Sequence, residues 1–480
     1  MKKIVALLLA LVMVVGLVAC GNSNQPGTSN PPASQPGTST PPASQPGSST
    51  PSTPSTPSEP LKIEWWTNFG EANHPDMQAI VDAFNASQDR WELSFIYQGG
   101  AGDLLAKDQS TRQEDLPAIF NGPVENIGLY ANAEFCAPLQ QFIDADTAGW
   151  SELETTYAGI KIGYQDTDGN QVGYPFGYSY GGLFYNVDLL KKAGIDPASL
   201  QSTEDMYNAC KKIVEGGYAK YGMGFHPDGY YFNVGIGREG LMAYNNDNGL
   251  KGERITECLY VSDKNVYNTI YTMLEYYQKM HAENLVMPYG TNAQGEVIPA
   301  FGAGDCAMFT GVVSYGAKVV NAVNGSFEIG FMPHFSATEN GKRTGHPTGG
   351  TGCFIGNSGN QEAMQGAYEF IKFASQPEWA ALWCKSTGYL APNADTFNSA
   401  EYQAVLENLY PFYKDLYASM AEDDGSATNP YIPISSEMKS ANKLAIQTVT
   451  SDPTASIEDA IKAAAEALQE AIDLYNMSNP

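Results

Sequence analysis

The feature that most constrains the fold is an alternation of strand and helix patterns that begins at Leu61. The segment LKIEWW alternates apolar and polar residues, as a half-buried strand does. An apolar stripe with helical spacing follows at 77–84, and WELSFIY at 91–97 alternates again. A helical stretch near 102–112 then precedes the short apolar segment PAIF at 117–120. This order predicts an α/β fold whose mainly parallel sheet is covered by helices on both faces.

The length of the chain predicts two lobes. With 480 residues, it exceeds the size at which single hydrophobic cores stop growing. Further strands are predicted at 304–309 and 327–332, and helices dominate from about residue 360 onward. We assign the segments to lobes as follows: 61–176 and 310–345 form the first lobe, and 177–309 and 346–480 form the second.

The first twenty residues have the pattern of an export signal that ends in a lipid attachment site. Lys2 and Lys3 precede an apolar run at 4–15 that is too short to span a bilayer comfortably. The run leads to LVACG at 17–21, which resembles a bacterial lipobox, in which a diacylglyceryl group is attached to the cysteine. Residues 1–20 are therefore predicted to be a lipoprotein signal peptide, with lipidation at Cys20. The alternative is an ordinary cleaved signal in which this cysteine is incidental.

Residues 21–60 are predicted to be a disordered tether. They consist almost entirely of Ser, Thr, Pro, Gly, Gln and Asn, and the unit PPASQPG occurs at 31–37 and again at 41–47. Such a composition cannot bury enough apolar surface to offset its chain entropy. At ~3 Å per residue, an extended tether would hold the folded body on the order of 100 Å from the lipid.

The net charge indicates which partners to expect, and the cysteine spacing bears on whether disulfides form. A net charge of -27 repels phosphate backbones, so we expect no nucleic-acid partner. An acidic surface does not adsorb to anionic lipid either, so membrane association would come from the anchor at Cys20. The other six cysteines show no CxxC spacing. An exported chain permits disulfides, but buried free thiols are the favoured interpretation.

Three motifs that suggest catalysis or metal binding lack the context that they need. Gly177–Gly181 matches GxSxG, but a strand-like segment follows where a nucleophile elbow needs a helix. Gly235–Gly240 matches GxGxxG, yet its mid-chain position predicts a loop. The segment 166–170 begins like a calcium loop, but the later glycine and glutamate are missing, so a hairpin turn is predicted. We expect no catalytic residues, no metal site and no cofactor.

Aromatic and polar residues gather at the predicted ends of strands, where open α/β sheets bind ligands. Sugar rings expose C–H groups that stack on aromatic side chains, and their hydroxyls need fixed hydrogen-bond partners. Any one of these aromatic residues is more often part of a core than of a site, so the set carries more weight than its members. The candidates are Trp66, Asn68, Tyr97, Tyr178, Ser179, Tyr230, Tyr231, Gly350 and Thr351.

The sequence resembles the family 1 extracellular solute-binding proteins of ABC importers, and most closely their sn-glycerol-3-phosphate-binding branch. The segments that carry the resemblance occur in the family's order: FNASQ at 84–88, YQGG at 97–100, LPAIF at 116–120, LFYNVDLLKKAGID at 183–196, AFGAGDCAMF at 300–309, IGFMPH at 329–334 and STGYLAPN at 386–393. The resemblance implies a two-lobed, type II periplasmic-binding-protein-like fold with a hinge between the lobes, and no enzymatic activity. By similarity, it also implies ligand contacts at Tyr97, Glu125, Ser179, Tyr230, Tyr231, Gly350 and Tyr389.

The predicted function is to capture a mono- or oligosaccharide by hinge closure and to deliver it to the membrane subunits of an ABC importer. The alternative ligand is sn-glycerol-3-phosphate or a glycerophosphodiester. Resemblance to the glycerol-phosphate branch would imply an arginine near the C-terminal region that binds the phosphate group. This chain has no arginine after Arg343. Backbone N–H groups at 349–352 could still hold phosphate, but a neutral sugar is favoured.

We expect an exported monomer, anchored at the outer face of the cytoplasmic membrane. Two alternatives from other classes are a surface-anchored serine hydrolase that uses the GYSYG motif and an adhesin carried by the same tether.

Overall fold

The computed structural model describes residues 59–225, 229–250, 252–288, 293–341, 346–347, 349–423 and 427–479. The predicted signal peptide, Cys20 and the tether as far as residue 58 lie outside the described residues. Within the described ranges, no helix combines the length and the hydrophobicity needed to cross a bilayer.

The described residues form an alternating series of strands and helices. The strands are β1 (Leu61–Thr67), β2 (Trp91–Tyr97), β3 (Ile119–Pro123), β4 (Cys136–Ala137), β5 (Tyr174–Ser179), β6 (Gly181–Asn186), β7 (Tyr221–Gly224), β8 (Val286–Met287), β9 (Cys306–Val312), β10 (Ile329–Pro333) and β11 (Gly349–Gly356). The α-helices are α1 (His74–Ser87), α2 (Ala101–Ser110), α3 (Ile127–Tyr130), α4 (Gln140–Ala145), α5 (Ser151–Glu154), α6 (Ala158–Ile162), α7 (Val187–Ala193), α8 (Thr203–Glu215), α9 (Tyr230–Arg238), α10 (Asn245–Asn248), α11 (Lys264–Ala282), α12 (Ala293–Gly302), α13 (Gly316–Val323), α14 (Gln361–Ala374), α15 (Pro377–Thr387), α16 (Ala394–Asn398), α17 (Ala400–Asn408), α18 (Leu416–Glu422), α19 (Ser435–Ser451) and α20 (Ile457–Ser478).

The strands form two sheets, and each sheet is the centre of one lobe. The first sheet is six-stranded, in the order β2-β1-β3-β11-β4, with β5 also paired to β11. The second is five-stranded, in the order β10-β6-β9-β7-β8. The predicted two-lobed α/β fold is thereby confirmed. The sheets are mixed rather than mainly parallel, because β11 runs antiparallel to its three partners and β6 runs antiparallel to both β9 and β10.

The strand pairing differs from the lobe boundaries predicted from the sequence. Residues 310–345 were assigned to the first lobe, yet β9 and β10 both pair with β6 in the second sheet. Residues 346–480 were assigned to the second lobe, yet β11 pairs with β3 in the first sheet. The two boundaries are wrong because the chain returns to the first sheet only at β11, a crossing that no local pattern marks.

The chain crosses between the sheets at Tyr180, the single residue between β5 and β6. This tyrosine is buried, and its ring stacks on His346 at a centroid distance of 3.9 Å.

His346 belongs to the second crossing, which runs from β10 to β11. Burial, and secondarily the charge of Arg238, lowers the pKa of His346 to about 3, so its imidazole is neutral. A neutral ring nitrogen can accept, and the Gly181 N–H donates to Nε2 at 3.1 Å. The two crossings are therefore joined side by side.

The apolar cores follow the same division. One cluster fills the first lobe around Trp65, Phe176 and Trp383, and another fills the second lobe around Met308 and Leu468. A third cluster includes side chains from both sheets, among them Phe120 and Phe354 of the first and Phe184, Phe309 and Phe331 of the second. This shared cluster packs the two lobes together.

Several local predictions can be compared directly with the structure. The capping box of Ser202 and Asp205 at the start of α8 is confirmed, as is the turn at 166–170, where the Asp166 carboxylate accepts from the Asn170 N–H. The predicted loop at Gly235–Gly240 is wrong, because α9 continues through Arg238. A Cβ at Gly235 would lie 2.4 Å from the Met273 sulfur, so this glycine serves close packing of α9 on α11. The six cysteines among the described residues are buried and unbridged, as predicted.

Candidate functional site

A cavity of about 290 Å³ is lined by residues of both lobes. Its first-lobe wall comes from the ends of β3 and β5, the start of β11 and the segment after α15. Its second-lobe wall comes from the end of β9, the 3₁₀ turn at 313–315, α9 and α19. The described lining residues are Pro123, Glu125, Ser179, Tyr230, Tyr231, Val312, Ser314, Tyr315, Gly349, Gly350, Thr351, Tyr389 and Lys439.

Glycines bring the first-lobe wall close to the cavity. Gly350 has φ +109°, a conformation that favours glycine, and a Cβ there would lie 2.0 Å from the Gly177 carbonyl oxygen. A Cβ at Gly177 would in turn lie 2.4 Å from the ring of Tyr389. The lack of a Cβ at Gly350 thus lets β11 approach β5 closely, and the lack of a Cβ at Gly177 leaves room for the Tyr389 ring beside β5.

The first turn of α9 contributes two tyrosines to the second-lobe wall. The Tyr230 hydroxyl donates to the Pro347 carbonyl oxygen at 2.8 Å and so ties α9 to the crossing between the sheets. The Tyr231 ring stacks on His334 at 5.1 Å, and burial lowers the pKa of that histidine to about 4, so it is neutral. Both tyrosines are buried, and each is held by a specific partner.

Two other tyrosines, one on each lobe, are only half buried. Tyr315 lies in the 3₁₀ turn after β9, and Tyr389 follows α15. Burial raises the pKa of Tyr389, while a hydrogen bond with the Thr351 side chain opposes that rise and the charge of Glu125 adds to it. Its hydroxyl is therefore protonated at neutral pH. The two half-buried tyrosines line the cavity from opposite lobes.

Charge enters the described lining only through Glu125 and Lys439. The Lys439 ammonium lies 3.1 Å from a Glu125 carboxylate oxygen. The other described lining residues are aromatic, hydroxyl-bearing or small and apolar. The described wall thus offers aromatic faces and hydroxyl groups, with its two opposite charges paired.

The structure brings seven of the sequence-predicted site residues to this cavity and leaves four outside its lining. The seven are Glu125, Ser179, Tyr230, Tyr231, Gly350, Thr351 and Tyr389. Trp66 is a buried residue of β1, its indole N–H donates to Glu64, and the Lys107 ammonium lies 4.2 Å from the ring centroid. Asn68 follows β1 and is half buried.

The other two residues outside the lining are tyrosines. Tyr97 is 48% exposed, and its nearest ring contact is His74. Tyr178 is buried, and the edge of its ring meets Tyr180. It points into the core that the lobes share because successive side chains of a strand alternate in direction, and Ser179 takes the direction of the cavity.

The lining residues that were not among the predicted site residues include Val312, Ser314, Tyr315 and Lys439. Val312, Ser314 and Tyr315 follow the predicted strand at 304–309, so the rule that ligands bind at strand ends could have found them. Lys439 lies in the middle of the C-terminal helical region, where no strand end or motif marks it.

The serine of the GYSYG motif does not lie on a strand-to-helix turn. Ser179 ends β5, and after Tyr180 the chain enters β6 directly. The strand predicted after the motif is confirmed, so the local geometry of a nucleophile elbow is absent here.

The two sheets, the paired crossings and the cavity between them define a two-lobed binding protein. A family model described as bacterial extracellular solute-binding protein matches residues 79–408. This chain belongs to that family, whose members are binding proteins rather than enzymes. The resemblance found in the sequence is thereby confirmed, and the extracellular character of the family supports export.

Similar proteins include binding proteins for different ligands. The chain is 23% identical over 428 residues to the sn-glycerol-3-phosphate-binding periplasmic protein UgpB of Yersinia pestis bv. Antiqua (strain Antiqua), covering 86% of this chain and 90% of the relative. Its fold is similar to the GacH receptor of Streptomyces glaucescens, solved unliganded and with acarbose (TM-score 0.67, 16% identity, 87% of this chain and 99% of the other). It is also similar to UgpB from Mycobacterium tuberculosis in complex with glycerophosphocholine (TM-score 0.66, 14% identity, 88% and 99%). At these identities, the structural likeness shows the fold alone.

Proposed function

We propose that this protein is the carbohydrate receptor of an ABC importer. The observation that carries the proposal is the pair of half-buried tyrosines, Tyr315 and Tyr389, which line one cavity from opposite lobes. Aromatic faces bind the C–H surfaces of sugars, and hydroxyl groups at Ser179, Ser314 and Thr351 match sugar hydroxyls. The acarbose-bound neighbour supports a sugar ligand for this fold.

Ligand capture would proceed by closure of the lobes about the crossings at Tyr180 and His346. A ligand that contacts both walls binds the closed state better than the open one, and this difference in affinity drives closure. A hydrogen bond between a sugar hydroxyl and the Glu125 carboxylate would contribute about 1.5–3 kcal/mol. The closed protein would then deliver its ligand to the membrane subunits, as a monomer and without catalysis.

Replacing either half-buried tyrosine tests the proposal. We expect Tyr389→Ala and Tyr315→Ala each to weaken binding of a neutral oligosaccharide about tenfold or more, because each removes one aromatic face. A thermal-shift screen of a carbohydrate library identifies the oligosaccharide, and isothermal titration calorimetry then measures its Kd. Tyr97→Ala is the matched control, since that ring is 48% exposed and lies outside the cavity lining. If Tyr389→Ala and Tyr315→Ala bind the oligosaccharide as tightly as Tyr97→Ala does, the proposed site is wrong.

sn-Glycerol-3-phosphate or a glycerophosphodiester is the second candidate ligand. It is favoured by the relative from Yersinia pestis and by the glycerophosphocholine-bound neighbour. A neutral sugar remains our preference, because the lysine in the described lining is paired with a carboxylate. A rise in melting temperature with sn-glycerol-3-phosphate, and none with any oligosaccharide, would reverse this preference.

The lipid anchor is a further part of the proposal, supported by the lipobox-like segment at 17–21. We expect Cys20→Ser to move the protein from the membrane fraction to the medium or the soluble fraction, because two acyl chains anchor stably and the acidic surface does not. Metabolic labelling with a clickable palmitate analogue, followed by fractionation, measures both effects. Cys136→Ser is the matched control, and a variant of Cys20 that stays labelled and membrane-bound would exclude this cysteine as the anchor.

A further inference from the structure

An ion pair crosses the cavity from one lobe to the other. Glu125 lies in the 3₁₀ turn that follows β3 of the first sheet. Lys439 lies on α19, which packs against α11 and α20 of the second lobe. The distance between Lys439 Nζ and Glu125 Oε1 is 3.1 Å, and their side chains are 40% and 13% exposed. The carboxylate is thus largely removed from solvent and has the ammonium beside it.

Neighbouring contacts join the same two segments. The Ser435 hydroxyl, at the start of α19, donates to the Asn126 side-chain oxygen at 2.7 Å. A Cβ at Gly128 would lie 3.0 Å from the backbone nitrogen of Ile432, so the two backbones approach closely there. The first turns of α19 and the segment at 125–128 therefore form matched surfaces of the two lobes.

We propose that the pair of Glu125 and Lys439 is a latch that joins the lobes and also determines ligand charge. By neutralising Lys439, Glu125 prevents this lysine from binding an anionic ligand, so the cavity selects uncharged ligands. The inference rests on the proposed function, since it assumes that ligand binds in this cavity, but the latch itself requires no ligand.

Each partner of the ion pair affects the other. Removing Lys439 would leave the Glu125 carboxylate largely desolvated without its partner, so the contact between the lobes would weaken. Removing the charge of Glu125 would leave an ammonium at the cavity wall, where it could donate charge-assisted hydrogen bonds to phosphate oxygens. The two substitutions therefore have different and separable effects.

The first experiment measures ligand charge selection with Glu125→Gln. We expect this variant to bind sn-glycerol-3-phosphate about tenfold more tightly than the wild type, because a charge-assisted hydrogen bond becomes available. The double variant Glu125→Gln/Lys439→Met should lose the gain, and Glu134→Gln, an exposed glutamate of the same lobe, should show none. Isothermal titration calorimetry measures each Kd. If Glu125→Gln shows no gain over the wild type, or keeps the gain without Lys439, the proposed charge selection is wrong.

The second experiment measures the latch in the ligand-free full chain by hydrogen–deuterium exchange. We expect Lys439→Met to accelerate exchange about fivefold at 125–128 and at the start of α19, the effect of losing a partly shielded ion pair. Lys443→Met is the matched control, since that lysine is exposed and lies one turn further along α19. High ionic strength should accelerate exchange in the wild type but not in Lys439→Met. Equal exchange in the two lysine variants would overturn the latch.

The two failures are distinguishable. If no carbohydrate binds the wild type but Lys439→Met still accelerates exchange, the proposed function fails and the latch stands. If oligosaccharides bind and the lysine variants exchange alike, the latch fails and the carbohydrate receptor stands.

Discussion

Replacing Gly350 with valine is expected to lower the free energy of unfolding by at least about 4 kcal/mol. Two costs combine at this position. Its φ of +109° is strained for any residue with a Cβ, and that Cβ would lie 2.0 Å from the Gly177 oxygen and 2.9 Å from the Ser179 nitrogen. Both neighbours are backbone atoms of β5, so relief requires β5 and β11 to separate. Guanidinium unfolding followed by tryptophan fluorescence measures the change.

Separating these strands would also displace the cavity wall, because Ser179, Gly350 and Thr351 all line it. We therefore expect Gly350→Val to lose ligand binding even where it remains folded. Gly149→Ala is the control for backbone strain alone, since Gly149 has φ +77° and no atom within 4 Å of a Cβ. Its expected cost is about 1 kcal/mol. Similar losses in the two variants would show that the contact with β5 is not responsible.

The strands and long helices could be predicted from the sequence because their signals are local. The alternation in LKIEWW and WELSFIY matches β1 and β2, and the capping box at Ser202 starts α8. Lobe membership depends on pairing over long distances. The segment GGTGCFIG has no local pattern that indicates its pairing with β3, which lies more than two hundred residues earlier in the chain. The lobe boundaries were therefore misplaced.

The candidate site was predictable where it follows the ends of strands. Ser179, Gly350 and Thr351 lie at such ends and line the cavity. Tyr178 is also an aromatic residue near the end of a strand, but the alternation of side chains along β5 directs it into the core. Lys439 could not be found in this way, because its position depends on how α19 packs against the first lobe.

The stability of the protein is expected to fall as pH rises from about 4 to 8, through the buried carboxyl group of Asp108. This residue of α2 is 1% exposed, and its Oδ1 has no hydrogen-bond partner among the described residues. Burial raises its pKa from 3.8 to about 8, and the nearby charge of Lys107 only partly opposes this. Between these two pH values, the folded state binds one proton more than the unfolded state. Its stability is therefore greatest below the lower value and is lost as pH rises toward the higher one.

Asp108→Asn should remove this pH dependence, because the amide stays neutral. At ~1.4 kcal/mol per pH unit, the variant is expected to be more stable than the wild type by about 4 kcal/mol at pH 7, and equally stable below pH ~4. Chemical unfolding between pH 4 and 8 measures the difference between the two curves, which isolates this group from the other titrating residues. Asp89→Asn, at an exposed aspartate, should change stability by no more than about 0.5 kcal/mol at any pH. A difference between wild type and Asp108→Asn that does not grow with pH would mean that Asp108 ionises in the folded protein without a desolvation cost.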